Sequence, residues 1–206
     1  MTTQVSFSDL ASGKQFRWPR KGDRLLRTST DWQTGVDFAA DAHSRHVHIW
    51  SGYMRAGAAL VTECERFSSD RHFLVYPILF NYRHGLELAI KWIIDSYGRC
   101  AGIYLEPDDL NHDLWSLWKM CKEVILKVGS DDTDGSIKAV EQIVKDFHDC
   151  DSGAMSFRYS RNKDGAAIPL PDISIDLQNI RDVMEGVDNF FSDADGQLDA
   201  NCSAAG

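Results

Sequence analysis

The sequence lacks the features that mark membrane-spanning and secreted proteins. Its 206 residues contain no apolar run of about 18 residues and no signal-peptide pattern at the start. The cysteines show no CxxC spacing and are odd in number, which is typical of free thiols in a reducing compartment. We therefore expect a cytoplasmic protein, without a membrane span, that keeps five free cysteines: Cys64, Cys100, Cys121, Cys150 and Cys202.

Motifs of several large enzyme classes are also missing. The chain has no nucleotide P-loop, no GxSxG and no cluster of zinc ligands, so nucleotide hydrolysis, acyl transfer and zinc chemistry have no support. His43 and His46 share a helix face but lack a third ligand nearby. The acidic turn at residues 129–136 lacks the glutamate that closes a calcium-binding loop. We predict neither a metal nor a cofactor.

Charge is divided unevenly along the chain. The net charge is −9, but residues 1–100 carry a basic excess and residues 101–206 a large acidic one. Residues 1–36 form a predicted N-terminal arm, in which Arg17, Arg20 and Lys21 alternate with aromatic rings. Cations and rings together suit nucleic-acid phosphates and bases. The alternative is an arm that packs its apolar residues on the rest of the protein and leaves its charges in water.

The chain is organised around residues 76–97, which read as one long helix. Pro77 suits the first turn of a helix, and apolar residues then recur at steps of three and four. Additional apolar positions widen this stripe over most of the circumference. The pattern predicts a helix in the middle of a bundle.

One arc of this helix is polar. Arg83, Glu87, Lys91 and Asp95 follow one another at i,i+4 spacing with alternating charge, and His84 lies beside them. Large apolar residues bracket these charges, which indicates that another helix or another chain covers the arc. Covered charges must be paired. Two interpretations stay open, a structural network and a functional site. Because Phe80 and Ile94 at the two ends of the arc are unsuited to open water, we predict a homodimer.

The remaining periodicity completes an all-α fold. Amphipathic patterns predict helices at residues 37–66, from Asn111 to residue 128, from Ile137 to residue 147 and from Leu177 to residue 191. Residues 156–175 alternate and contain a turn signal, which indicates a short hairpin or an ordered loop. Residues 193–206 are polar and small, typical of a flexible tail. We predict a single-domain bundle of about five helices over residues 37–192.

Three motifs in this order resemble a known family. YRHGLELAIKWI, NHDLWSLW and SFRYSRNKDG, spread over the bundle, resemble the HEPN-like all-helical proteins of bacteria. The resemblance implies a small α-helical bundle that dimerises. It also implies either a metal-independent ribonuclease of a defence or toxin–antitoxin type system or a non-catalytic relative that binds a partner protein or nucleic acid.

The family's catalytic motif places a histidine four to six residues after an arginine. Arg66 and His72 match that spacing, whereas Arg83 and His84 supply only the arginine-polar start. As catalytic residues we predict Arg83, His84 and Glu87, with Arg66 and His72 as the alternative pair. We predict that nucleic acid is bound by Arg158, Arg161, Arg17, Arg20 and Lys21, and that the supporting network contains His112, Asp113 and Tyr159.

Overall fold

The computed structural model describes residues 19–106, 108–129 and 132–205. The chain divides into two compact units, Met1–Phe38 and Ala39–Gly206. Within residues 19–38, Leu25 and Trp32 are exposed, and a carboxylate oxygen of Asp23 accepts a hydrogen bond from the backbone N–H of Arg20. The division falls close to the predicted end of the arm at residue 36.

The helices confirm the predicted all-α class. The described residues contain five α-helices and one short 3-10 helix, without a named strand. No helix among them is both long enough and apolar enough to cross a membrane. In chain order they are α1 Ala42–Arg66, the 3-10 helix Ser68–Asp70, α2 Arg71–Tyr97, α3 Leu114–Val128, α4 Ser136–Cys150 and α5 Leu177–Ala205.

Helix α2 is the centre of the bundle, as its wide apolar surface predicts. It packs against α1, α3 and α5. Its buried residues surround the helix axis on several sides, which a single-stripe helix cannot do. Fully buried side chains on α2 include those of Ile78, Leu86, Ile90, Ile93 and Ile94.

The predicted start of this helix was wrong. Helix α2 begins at Arg71 rather than at residue 76, directly after the 3-10 helix, and Pro77 lies inside it. Proline keeps a helical φ, and its missing N–H removes only the bond that the carbonyl of Phe73 would accept. Because that carbonyl belongs to the first turn, the disturbance stays near the end of the helix.

Two glycines let α1 and α2 approach each other closely. A Cβ added at Gly57 would lie 2.8 Å from the ring of Tyr82, and one at Gly85 would lie 3.1 Å from the sulfur of Met54. Each helix thus provides a flat site for a large side chain of the other. The contact fixes the face of α2 that turns toward α1, and therefore the direction in which its polar arc points.

Helix α3 begins three residues later than the sequence predicted. Asp113, not Asn111, is its N-cap, and the Asp113 carboxylate accepts bonds from the N–H groups of Trp115 and Ser116 at 3.0 and 3.1 Å. The Asn111 side chain instead accepts from the N–H of Asp113 at 2.8 Å. These turns position His112 just before the helix.

The sequence predicted a short hairpin or an ordered loop between α4 and α5, and the segment is an ordered loop. Its only pairing among the described residues is an isolated antiparallel bridge between Arg161 and Ala167. The Asn162 side chain accepts bonds from the N–H groups of Asp164 and Ala166 and closes the turn. Gly165 has a φ of +82°, which glycine adopts without strain.

The predicted flexible tail is part of the last helix. Helix α5 continues to Ala205, and Leu198 is fully buried. The Asp195 carboxylate accepts hydrogen bonds from the Trp92 indole N–H and the Tyr97 hydroxyl, both at 2.6 Å. Burial, and then Asp195, raise the pKa of Tyr97. The bundle therefore extends beyond the predicted limit at residue 192.

The prediction of five free cysteines was also wrong. Cys100, just after α2, forms a disulfide with Cys202 near the end of α5, and their Cα atoms are 6.1 Å apart. Cys64, Cys121 and Cys150 are free. Spacing motifs could not reveal the pair because 102 residues separate its members.

The burial of Leu198 generates a stability prediction. We expect Leu198→Ala to lower the free energy of unfolding by about 2–5 kcal/mol, the usual range for truncating a buried leucine. Leu25→Ala, at a leucine that is 97% exposed, is the matched control and should leave stability unchanged. Urea titrations of both variants measure the difference. Equal stability of the two variants would mean that Leu198 is not buried and that residues 193–206 form the flexible tail that the sequence predicted.

Candidate functional site: a buried ion network with an exposed histidine

The Arg83 guanidinium lies at the centre of a buried polar network. Its side chain is 3% exposed, and all three of its nitrogens are used. Nη1 donates to Glu87 Oε2 at 3.1 Å, and Nη2 donates to the backbone oxygen of His112 at 3.1 Å. Nε lies 3.3 Å from both the backbone oxygen and the carboxylate of Asp151. One side chain thus joins α2, the start of α3 and the end of α4.

Glu87 is the second member of this network. Oε1 accepts from Lys91 Nζ at 2.8 Å and lies 2.7 Å from His112 Nδ1. Burial raises the pKa of Glu87, but the hydrogen bonds and charges of Lys91 and His112 outweigh it and lower the pKa below its ordinary value. Glu87 is therefore a carboxylate at neutral pH, and both of its oxygens are occupied.

His112 carries this network to the surface. Its side chain is 73% exposed, whereas that of Glu87 is 2% exposed. Because a carboxylate only accepts hydrogen bonds, Nδ1 must be the protonated nitrogen in this contact. The neutral ring then keeps its lone pair on Nε2, which is the arrangement of a general base held by a buried acid.

Asp151 is the member that sequence reasoning missed. It is buried, and Oδ1 accepts bonds from the N–H groups of Met155 and Ser156 at 2.7 and 2.8 Å. Oδ2 faces Arg83. Asp151 therefore ends α4, shapes the following turn and neutralises the guanidinium. An aspartate before Ser152 and Gly153 is a sequence signal for a turn. Its pairing with Arg83, 68 residues away, could not be predicted from sequence spacing.

His84 lies beside the network, in a cluster of rings. Its imidazole stacks on Phe80, with centroids 5.6 Å apart, and meets Tyr53 edge-on at 4.6 Å. Burial lowers the pKa of His84, and the charges of Lys91, Arg83 and His112 act in the same direction, against Glu87. His84 is thus mainly neutral at pH 7, within the electrostatic influence of the Arg83 network.

Arg158 reaches the same ring cluster from the loop. Its guanidinium lies 5.8 Å from the Phe80 centroid and 5.4 Å from that of Tyr159. Nε donates to the backbone oxygen of Ala154 at 2.8 Å, so the side chain is partly held, yet it stays exposed. Both later motifs thus contact α2: the residue before α3 through Arg83, and the loop through Phe80. The predicted clustering of all three motifs at one site stays a prediction.

Other predicted site residues have different positions. Asp113 caps α3, with one carboxylate oxygen 3.5 Å from His148 Nδ1. Arg161 donates to the oxygen of Gly165 in its own turn. Arg20 and Lys21 are exposed in the first unit, and Arg17 lies outside the described residues.

The residues of the alternative pair have different surroundings. Arg66 ends α1 and forms an exposed ion pair with Glu63 at 3.8 Å. His72 lies in the first turn of α2 and lines a cleft to which Arg66 does not contribute. A shared site of Arg66 and His72 stays a prediction.

The polar arc of α2 is covered by its own chain. Ile94 is fully buried, Phe80 is partly covered by Tyr53 and His84, and Asp151 and the residues before α3 close over the charges. A second chain is not required to cover the arc. The homodimer therefore stays a prediction, but the cover of the arc no longer supports it.

Among the described residues, no group of three or more His, Cys, Asp or Glu side chains is arranged to hold a metal ion.

Removing the fork of Arg83 should destabilise the fold. Arg83→Lys keeps the charge but cannot serve Glu87, Asp151 and the His112 carbonyl together. We expect a loss of roughly 2–4 kcal/mol in the free energy of unfolding, because buried acceptors lose their donors. Arg66→Lys at the exposed pair is the control. A wild-type melting temperature for Arg83→Lys would contradict the scaffold role.

The lowered pKa of Glu87 makes its contribution depend on pH. A carboxylate with a depressed folded-state pKa stabilises the fold above its ordinary value of 4.5, and this stabilisation is lost as pH falls through the folded-state pKa. We expect the difference in unfolding free energy between wild type and Glu87→Gln to be largest near neutral pH. It should shrink as pH falls below that ordinary value, as urea titrations at several pH values would measure. A difference independent of pH would mean that Glu87 is not ionised in the fold.

Comparisons with known proteins assign neither a family nor a function. No family model matches the chain, no curated protein matches it, and no solved structure matches it. The chemistry of this surface must therefore be argued from its own geometry.

Proposed function

We propose that this HEPN-like protein cleaves RNA without a metal, with His112 as the general base. The supporting observation is the 2.7 Å contact between His112 Nδ1 and the buried, ionised Glu87. A carboxylate that fixes one imidazole nitrogen while the other faces solvent is the usual support of a catalytic histidine. The motif resemblance adds the expectation of a bacterial defence or toxin–antitoxin type system.

This proposal changes the roles of two predicted catalytic residues. Arg83 and Glu87 are buried and fully paired, so neither can contact a phosphate of the substrate. They act as positioning residues: Arg83 holds the backbone at His112, and Glu87 holds its ring. His84 and His112 are the members with exposed or half-buried imidazoles.

Two imidazoles can supply both proton transfers of RNA cleavage. His112 Nε2 takes the proton of a 2′-hydroxyl, whose oxygen bonds to the adjacent phosphorus while the bond to the 5′ oxygen breaks. His84 in its protonated form returns a proton to that leaving oxygen. The pKa of His84 is lowered by its burial, so its protonated form is a minority at pH 7 but a better proton donor than an ordinary imidazolium.

Arg158 is the cation best placed for the phosphate. It is exposed and lies over Phe80, the ring on which His84 stacks. Arginine presents a planar pair of donors that matches two phosphate oxygens. Tyr159 beside it offers a ring for a base. Arg161, Arg17, Arg20 and Lys21 stay predicted nucleic-acid contacts.

A second candidate is a non-catalytic module that binds a partner protein or nucleic acid, as a predicted homodimer. The full pairing of Arg83 and Glu87 favours it, because a network built only for stability would have the same buried contacts. It requires no free imidazole and so assigns no task to the exposed His112. Substitution of His112 therefore distinguishes the two functions.

The test is RNA cleavage by His112→Ala. We expect the cleavage rate to fall about a hundredfold or more, the usual effect of losing a general base. The melting temperature should fall much less than in Arg83→Lys, because the ring is largely exposed and Glu87 Oε1 keeps Lys91 as a donor. The assay uses purified protein, EDTA and a fluorescent single-stranded RNA. His48→Ala, at an exposed histidine of α1, is the matched control and should cleave like wild type.

His84→Ala tests the second imidazole in the same assay. Full activity of a stable His84→Ala protein would remove His84 from the proton transfers. Full activity of His112→Ala would overturn the proposed mechanism. RNA binding without cleavage by the wild type would favour the non-catalytic module.

A further inference from the structure

A large cleft separates α4 from α1, α2 and α5. Its volume is about 980 Å³, near the upper end of the roughly 300–1,000 Å³ that small-molecule sites occupy. Buried Val61, Cys64, Phe147 and Met184 form part of its lining. None of the residues of the Arg83 network lines it, so this cleft is distinct from the proposed RNA site.

The loop before α5 adds apolar side chains to the cleft. Leu170, Ile173 and Ile175 line it and are exposed, Ile173 to 70%. Large aliphatic side chains gain from losing contact with water. An occupant of this cleft therefore needs apolar surface along much of its length.

The acidic side chains of the lining already have partners. Glu65 pairs with Arg181 at 2.7 Å, Asp146 accepts from the Gln142 amide at 2.8 Å, and Asp176 caps the start of α5. One oxygen of each carboxylate is thus used within the protein, and for Glu65 the partner is a cation.

Two basic side chains of the lining differ from these. Arg71 and His72, in the first turn of α2, form no side-chain hydrogen bond or ion pair with any other described residue. Arg71 is close enough to Cys64 for its charge to favour the thiolate, although burial raises the pKa of that thiol. An unpaired guanidinium at one part of an apolar cleft is complementary to a single anionic group.

We propose that the cleft binds a long-chain carboxylate. The alkyl chain lies along the aliphatic lining, where it covers the exposed isoleucines. The carboxylate is bound by the Arg71 guanidinium, whose planar fork matches its two oxygens, and His72 adds a second donor. A polypeptide segment could bury the same apolar surface but offers no comparable reason for one unpaired arginine.

Calorimetric titration of the full chain tests the head group. Dodecanoate and dodecyltrimethylammonium below their micelle concentrations, and dodecanol below its solubility limit, present the same chain with three different ends. We expect saturable one-to-one binding of dodecanoate, with the alcohol weaker by roughly tenfold or more and the cation weaker still. Equal binding of all three would show general affinity for surfactants and overturn the proposal, as would no binding at all.

Two variants locate the site. Arg71→Gln should weaken dodecanoate binding by roughly tenfold or more without affecting dodecanol. Val183→Trp should weaken both, because it fills the cleft from a partly exposed lining position. Arg66→Gln, a neighbouring exposed arginine outside the lining, should bind like wild type. Unchanged dodecanoate affinity in Arg71→Gln would refute the assigned head-group site. A protein that binds vesicles of anionic phospholipid but not free dodecanoate would refute it as well.

Discussion

The structure depends on one buried guanidinium. Arg83 connects a carboxylate one turn away on its own helix, a backbone oxygen before α3 and an aspartate at the end of α4. A charge in this position is unfavourable unless every donor has an acceptor. The three segments must therefore adopt one arrangement, and hydrophobic contacts alone would not specify it as narrowly.

The same network joins buried side chains to an exposed one. Arg83 and Glu87 are excluded from water, whereas the His112 ring is largely in it. A buried ionised carboxylate thus controls the orientation of an exposed imidazole. Structural and functional interpretations of the polar arc are not exclusive here, because the residues that hold the fold also hold the ring whose chemistry we propose.

Local patterns predicted much of this arrangement. The apolar periodicity of residues 76–97 indicated the central helix, and i,i+4 spacing indicated the Arg83–Glu87 and Glu87–Lys91 pairs that the structure contains. Both follow from helix geometry alone. His112 was predicted as part of the supporting network because it lies in one of the three motifs, without any local spacing that pairs it with Glu87.

Contacts between distant segments were not predictable in this way. Asp151 and the Cys100–Cys202 pair depend on how the helices pack, which no local spacing encodes. The end of α5 carried a readable signal, since Phe191, Ala194 and Leu198 recur at helical spacing. The neighbouring residues are small or acidic, and this composition indicates a flexible tail. Tertiary packing keeps the segment helical in spite of its low helix propensity.

Nitrogen-15 NMR of the imidazoles measures whether Glu87 fixes the ring of His112. At neutral pH we expect the neutral His112 ring to be a single tautomer, with the proton on Nδ1 and a shift typical of a strong hydrogen bond. In Glu87→Gln that preference should be lost. Averaged tautomer signals for His112 in the folded wild-type protein would show that Glu87 does not fix the ring.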